Sequence, residues 1–172
     1  MTPEEVRVMI EEASTQGMKA LIAFLYLYGT RISEALKLEK KDFTILVKTL
    51  RVSIEVEKKK QATAPIAWKH PLEIKTTDGN AFFVGILRDH LGMVSEGKIW
   101  KVSRWTAARK IKKLNAQCSP HIFRHTRNRR LAEKGADAIV LMDWNGWADT
   151  RPASNYLGLS GKSAKRFSGK ID

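Results

Sequence analysis

The sequence contains one cysteine, Cys118, in 172 residues. That scarcity excludes an intrachain disulfide and any zinc site built on cysteines. A lone cysteine just before a helix reads as inert packing rather than as a nucleophile. Histidine is almost as rare, and His70, His90, His121 and His125 are too scattered to suggest a metal cage. No long apolar run is present either. The longest, residues 20–28, falls far short of the ~20 residues that span a bilayer. The amino terminus, Thr2-Pro3-Glu4-Glu5, lacks the basic-then-apolar order of a secretory signal. Together these absences predict an intracellular, reducing setting.

Acidic residues are also in short supply. Eighteen Asp and Glu stand against 31 Lys and Arg, a net charge of +13. A compact chain with that charge repels itself, so it answers to a polyanion, or else it is a very soluble surface. No exposed apolar face accompanies the basic residues, which argues against a membrane and for nucleic acid. The apolar content of 43% and the length fit one domain with one core.

Along the chain, Thr2 caps a helix with Pro3 at its first position and Glu5 closing a capping box. Val6, Met9, Ile10 and Ala13 share its apolar face, and Gly17 ends it. Residues 18–28 are apolar nearly all round and read as a core helix. Gly29-Thr30-Arg31 breaks that helix, and Ser33-Glu34-Ala35-Leu36 restarts a short turn.

From Asp42 the period drops to two. Leu50, Val52, Ile54 and Val56 alternate with Arg51, Ser53, Glu55 and Glu57, the mark of a half-exposed strand. Lys58-Lys59-Lys60-Gln61 turns the chain, residues 64–68 return as a second strand, and Pro65 assigns it to an edge. A weaker strand at 44–47 completes the sheet.

Helical character resumes with Phe82, Phe83, Ile86, Leu87 and Leu91. Ser103 caps the next helix, whose expected apolar stripe is Trp105, Ala108, Ile111 and Leu114, with Arg104, Arg109, Lys110, Lys112 and Lys113 covering the rest. Ser119-Pro120 opens a helix that runs to Gly135, residues 138–144 form a short apolar one, and Pro152 begins the last, which carries Tyr156. That last segment is expected to make few core contacts, and residues 160–172 to form a flexible Ser-, Gly- and Lys-rich tail. The predicted class is mainly α with a small three-stranded antiparallel sheet.

Several residues stand out chemically. Arg31 follows the core helix directly, so it is either paired or held for a site; on spacing alone a salt bridge to Glu34 or Asp42 is an equal reading. His121 and Arg124 share one face at a helix start, where the positive helix end favours a phosphate. A solvated basic helix gives the same pattern, and His125 fits packing equally well. Trp147 and Tyr156, taken singly, read as core aromatics.

In order and spacing these residues resemble the tyrosine recombinase (integrase) family over nearly the whole chain. Thr2 to Val6 resembles the family's opening helix, Gly29-Thr30-Arg31-Ile32-Ser33-Glu34 its Gly-x-Arg-x-Ser-Glu motif, and His121-Ile122-Phe123-Arg124-His125 its His-x-x-Arg-His box. Gly146-Trp147 and Tyr156 fall where the family places a Gly-His or Gly-Trp and its tyrosine. Two features depart from the pattern: Arg127, Asn128, Arg129 and Arg130 replace apolar and small residues, and Trp147 replaces the commoner histidine. The segment from Tyr156 to Gly161 resembles the archaeal branch.

The resemblance implies the family's DNA breaking-rejoining fold and its reaction. Tyr156 would attack a phosphodiester to form a 3′-phosphotyrosine, with Arg31 and Arg124 forking onto the non-bridging oxygens. His121 would take the tyrosine proton, and Trp147 would donate its indole N–H to the phosphate. A lysine of the hairpin would protonate the leaving oxygen. Lys58 continues the face of Val52, Ile54 and Val56, and Lys60 is next by the same parity.

Bond energy is conserved in the phosphotyrosine, so neither metal nor other cofactor is implied. The implied partner is double-stranded DNA, with assembly as a tetramer on DNA in a full-length protein. The implied location is the cytoplasm, at the nucleoid or in a host cell if the chain is viral. Residues 1–172 would then be the catalytic domain, without the N-terminal helical domain that clamps the duplex from its other side. A recombinase-derived module that binds DNA without cutting it, and a type IB topoisomerase, are the competing readings.

Overall fold

A computed structural model describes residues 1–56, 68–76 and 78–157. Its first helix, α1 (Pro3–Glu12), starts where the capping pattern places it: Thr2 Oγ1 accepts from the Glu5 N–H at 3.2 Å, and Glu5 Oε2 accepts from the Thr2 N–H at 2.8 Å. α2 (Gln16–Tyr28) is capped by Thr15 and is buried throughout from Ala20 to Tyr28. α1 and α4 (Ala81–Met93) pack on it. The apolar residues all round α2 are therefore satisfied on every side. Its aromatics extend the core outward, with Phe24 against Trp100 at 5.1 Å between ring centroids and Tyr26 against Phe83 at 4.4 Å.

The sheet has three antiparallel strands in the order β1 (Phe43–Ile45), β2 (Thr49–Val56), β3 (Trp68–Lys75). The period-two pattern of β2 buries Leu50, Val52 and Ile54. Leu50 pairs with Ile74 and Val52 with Leu72, both also buried. Tyr28 Oη donates to the Leu50 carbonyl at 2.7 Å and ties α2 to the sheet; burial pushes that phenol well above the ordinary tyrosine range.

The described part of the return strand runs from Trp68 to Lys75, past the expected end at 68, because the Leu72 and Ile74 alternation matches the buried face of β2. Pro71 lies in this edge strand, where a missing N–H is tolerated. Residues 64–67, with Pro65, lie outside the described residues, as do Lys58, Lys59, Lys60 and the expected tail at 160–172.

α5 (Arg104–Leu114) is capped by Ser103, whose Oγ accepts from the Thr106 N–H at 3.1 Å. Its buried residues are Ala107 and Ile111, and Trp105 is 67% exposed. Of the expected stripe, Ile111 is buried and Ala108 and Leu114 are half-buried, and Trp105 departs for a geometric reason. At 3.6 residues per turn, steps of three drift roughly 60° each and cannot stay on one face.

The chain divides into two compact units, Met1–Arg127 and Asn128–Asp172, and the division falls within α6 (Pro120–Glu133). The described part of the second unit adds α7 (Ala138–Asn145), a 3₁₀ turn at Arg151–Ala153 and α8 (Ser154–Leu157). Ala132, Leu141, Ala153 and Tyr156 form its core, with Leu131, Trp147 and Leu157 packed against them.

Candidate active site

In the first unit, the end of α2 sets the geometry. Gly29 has φ +66° and donates its N–H to the Leu25 carbonyl, closing the helix in the left-handed conformation that favours glycine. A Cβ at Gly29 would lie 2.6 Å from Arg127 Cβ, so the absent side chain also lets α6 approach. The next residues enter α3 (Ile32–Ala35), with Arg31 at its N-cap position.

Arg31 and Arg124 converge on one carboxylate. Glu34 accepts from the Arg31 backbone N–H at 2.8 Å and from Arg31 Nη1 at 2.7 Å, and its other contact is Arg124 Nη1 at 3.9 Å. Of the two ion-pair partners weighed for Arg31, the structure has Glu34; Asp42 accepts from the Glu39 N–H. Arg124 is only 4% exposed and also reaches the Gly29 carbonyl at 3.4 Å. A guanidinium that deep requires a counter-charge, which the buried Glu34 supplies. The Arg31 side chain stays 46% exposed, so its remaining donors have access to solvent.

His121 stands in the first turn of α6, its ring edge-on to His125 at 4.5 Å. Its pKa is lowered below the ordinary histidine value, first by burial and then by the positive fields of His125, Arg124 and Arg31. The imidazole is therefore neutral at pH 7 and able to accept a proton. His121 and Arg31 both line a cavity of about 330 Å³, with Thr30, Ser33, Arg104 and the start of α6 completing its wall. Two guanidinium groups and a helix amino end make it electropositive. Cys118 is buried, and burial raises its thiol to about 11, which leaves it protonated and inert at neutral pH.

In the second unit, Gly146 (φ +60°) ends α7 and the Trp147 N–H donates to the Met142 carbonyl at 3.0 Å. The Trp147 and Tyr156 rings stack at 6.1 Å with 13° between planes. Tyr156 is 9% exposed and belongs to the unit's core, contrary to the expectation that its segment makes few core contacts. A four-residue helix has too little backbone bonding to hold itself, so its aromatic residue is drawn in to bury apolar surface. Asn145 Nδ2 donates to Asn128 Oδ1 at 2.8 Å and to the Leu141 carbonyl at 2.7 Å, which fixes α7 on α6 within the unit.

The predicted residues thus fall into two groups: Arg31, His121 and Arg124 in one unit, Trp147 and Tyr156 in the other. Lys58 lies outside the described residues. Reading the sequence missed two participants. Glu34 appeared there only as a partner of Arg31, and nothing in the spacing ties it to Arg124. Arg104 was one basic residue among many on its helix, and its place in the cavity wall had no signal of its own.

Comparison with known proteins adds findings of three kinds: a family, relatives and solved structures. The phage integrase family matches residues 1–162. Tyrosine recombinase XerA of Pyrococcus furiosus is 27% identical over 175 residues, covering 96% of this chain and 59% of that protein. Type 1 fimbriae regulatory protein FimE of Escherichia coli is 28% identical over 186 residues, covering 98% of this chain and 88% of that protein. Among solved structures, the XerH site-specific recombinase bound to its difH substrate in a pre-cleavage complex superposes with a TM-score of 0.71 at 18% identity, over 98% of this chain and 53% of that one. The XerA recombinase superposes with a TM-score of 0.64 at 17% identity, over 99% and 62%. The chain therefore spans about half the length of the Xer recombinases it matches.

Proposed function

The chain belongs to the phage integrase family, and from that membership we propose that it cuts and rejoins double-stranded DNA at specific sites through a 3′-phosphotyrosine at Tyr156. The observation that carries the proposal is the convergence of Arg31 and Arg124 on buried Glu34, with Arg31 and a neutral His121 lining an electropositive cavity. A guanidinium is a planar fork that suits a phosphate, a geometry that lysine cannot reproduce, which supports giving that role to these two arginines.

In the proposed reaction the phosphodiester is bound by Arg31 and Arg124, which stabilise the charge that develops on its non-bridging oxygens. Tyr156 Oη attacks phosphorus and gives its proton to His121 Nε2 or Nδ1; the P–O5′ bond breaks, and the leaving oxygen takes a proton from Lys58. Trp147 donates its indole N–H to a phosphate oxygen. Attack by a 5′-hydroxyl on the phosphotyrosine reverses the sequence and rejoins the strand. One phosphodiester is exchanged for another, so the scheme calls for neither ATP nor a metal.

Residues 1–172 act here as the catalytic domain. The full-length protein is proposed to assemble as a tetramer on DNA, in the cytoplasm. Among the described residues no helix is long and apolar enough to cross a membrane.

The test is a covalent trap. With a nicked suicide duplex the protein should form an SDS-stable adduct that maps to Tyr156, and Tyr156→Phe should abolish it while duplex binding persists. An adduct that survives in Tyr156→Phe, or that maps to Tyr26, Tyr28 or Cys118, defeats the proposal. Duplex affinity should also fall steeply with salt, by orders of magnitude if about six to ten basic residues neutralise phosphates.

A further inference from the structure

Trp105 is the largest exposed apolar side chain near the cavity, at 67% exposure on a helix whose other outward residues are basic. An indole carries about 150–250 Å² of mostly apolar surface, and leaving it in water forgoes the burial that normally places Trp in a core or an interface. The ring is not loose. The Arg109 guanidinium lies over it, 4.4 Å from the centroid, one helical turn along the same face.

Its position is informative. The preceding residue, Arg104, lines the cavity that also holds Arg31 and His121. Ala108, one turn further along the helix, lines the same cavity, so Trp105 stands between two residues of its wall in sequence.

We propose that Trp105, propped by Arg109, is a DNA-contact residue that packs against the sugar and base edge of a nucleotide flanking the phosphate in this cavity. The inference rests on the DNA reading above. Within it, Trp105 supplies an apolar contact that charge alone cannot, of the kind made with a thymine methyl in the groove. Arg109 serves as a positioning residue for the ring and as a phosphate neighbour.

The experiment measures dissociation constants for a nicked mixed-sequence duplex across a salt series. An apolar contact releases no counterions, so Trp105→Ala should weaken binding about tenfold with the slope of log affinity against log salt unchanged. Trp105→Phe should restore most of the loss, since a phenyl ring also packs. Arg109→Gln should lower the salt slope by about 0.9. Because the ring is exposed, Trp105→Ala should melt with the wild type.

Binding by Trp105→Ala within twofold of wild type overturns the inference, as does a loss that comes with a large fall in melting temperature. A wild type that traps DNA covalently while Trp105→Ala binds equally well sinks this inference alone. A wild type whose affinity ignores salt sinks the DNA reading and this inference together.

Discussion

The two units hold their candidate residues by different physics. In the first, Arg31 and Arg124 are set by a shared buried carboxylate and by the closed end of α2, above a core that buries Leu21, Phe24, Tyr26 and Phe83 completely. In the second, Tyr156 is itself one of four core residues and stacks on Trp147. Groups that must meet a phosphate carry charge, and buried charge needs a fixed partner, so their positions are specified before any ligand arrives. A neutral phenol can be stored by packing. The difference separates arginines fixed by a buried carboxylate from a nucleophile candidate whose position is tied to the core of its unit.

The sharpest way to break that comparison is to remove chemistry without removing volume. Tyr156→Phe keeps the ring and should lose all adduct with the second unit's stability intact. Arg31→Lys and Arg124→Lys should each lower cleavage on the order of a hundredfold or more. Only Arg124→Lys should also destabilise the first unit, because its side chain is buried and that of Arg31 is not. Single-turnover cleavage read beside thermal melting distinguishes these outcomes. Near-wild-type cleavage by either lysine variant makes that arginine structural. Trp147→Ala should cost less cleavage than either.

Truncation probes the core claim. Tyr156→Ala should destabilise by about 3 kcal/mol, with hydrogen-exchange protection lost in α7 and α8 and kept in α2. Unchanged protection in α7 means that Tyr156 is not a core residue. A smaller effect comes from Gly29→Ala, which combines positive φ with a 2.6 Å approach to Arg127 Cβ and should cost about 1–3 kcal/mol in chemical denaturation. Gly97→Ala is the control: it shares the positive φ, but nothing lies within 4 Å, so it should lose less.

The smallest effect is on a titration. His121 carries a lowered pKa, so the unfolded chain binds that proton more readily than the native one does. Its contribution to stability is therefore full above the ordinary histidine range near ~6.5 and falls as pH drops through and below it. His125→Gln removes one positive neighbour and should move His121 upward, toward its ordinary value. An NMR titration of the imidazole checks this, and an unmoved or lowered pKa contradicts the electrostatic account.

Much of this was legible in the chain. Helix starts were local matters, as the Thr2–Glu5 box and the Ser103 cap show, since capping involves residues three apart. The sheet was legible where β2 alternates, but the run of the return strand to Lys75 was not, because register depends on a partner's pattern at Leu72 and Ile74. The stripe on α5 held at Ile111 but not at Trp105, which is left in water, because steps of three drift off one face. The site residues were recognisable as types in an order. Their grouping in space was not, since Glu34 and Arg124 are distant in sequence and joined only by packing.

By itself the sequence determined the helix caps, the buried character of α2, the positive charge and which residues are candidates to bind and attack a phosphate. Each of these depends on composition or on neighbours within a turn. The tertiary structure decided that Glu34 serves two arginines, that Arg104 joins the cavity wall, and that Tyr156 is stored in a core while Trp105 is not. Those outcomes turn on which surfaces meet across long sequence separations, where burial and charge pairing are settled by three-dimensional neighbours rather than by adjacent residues.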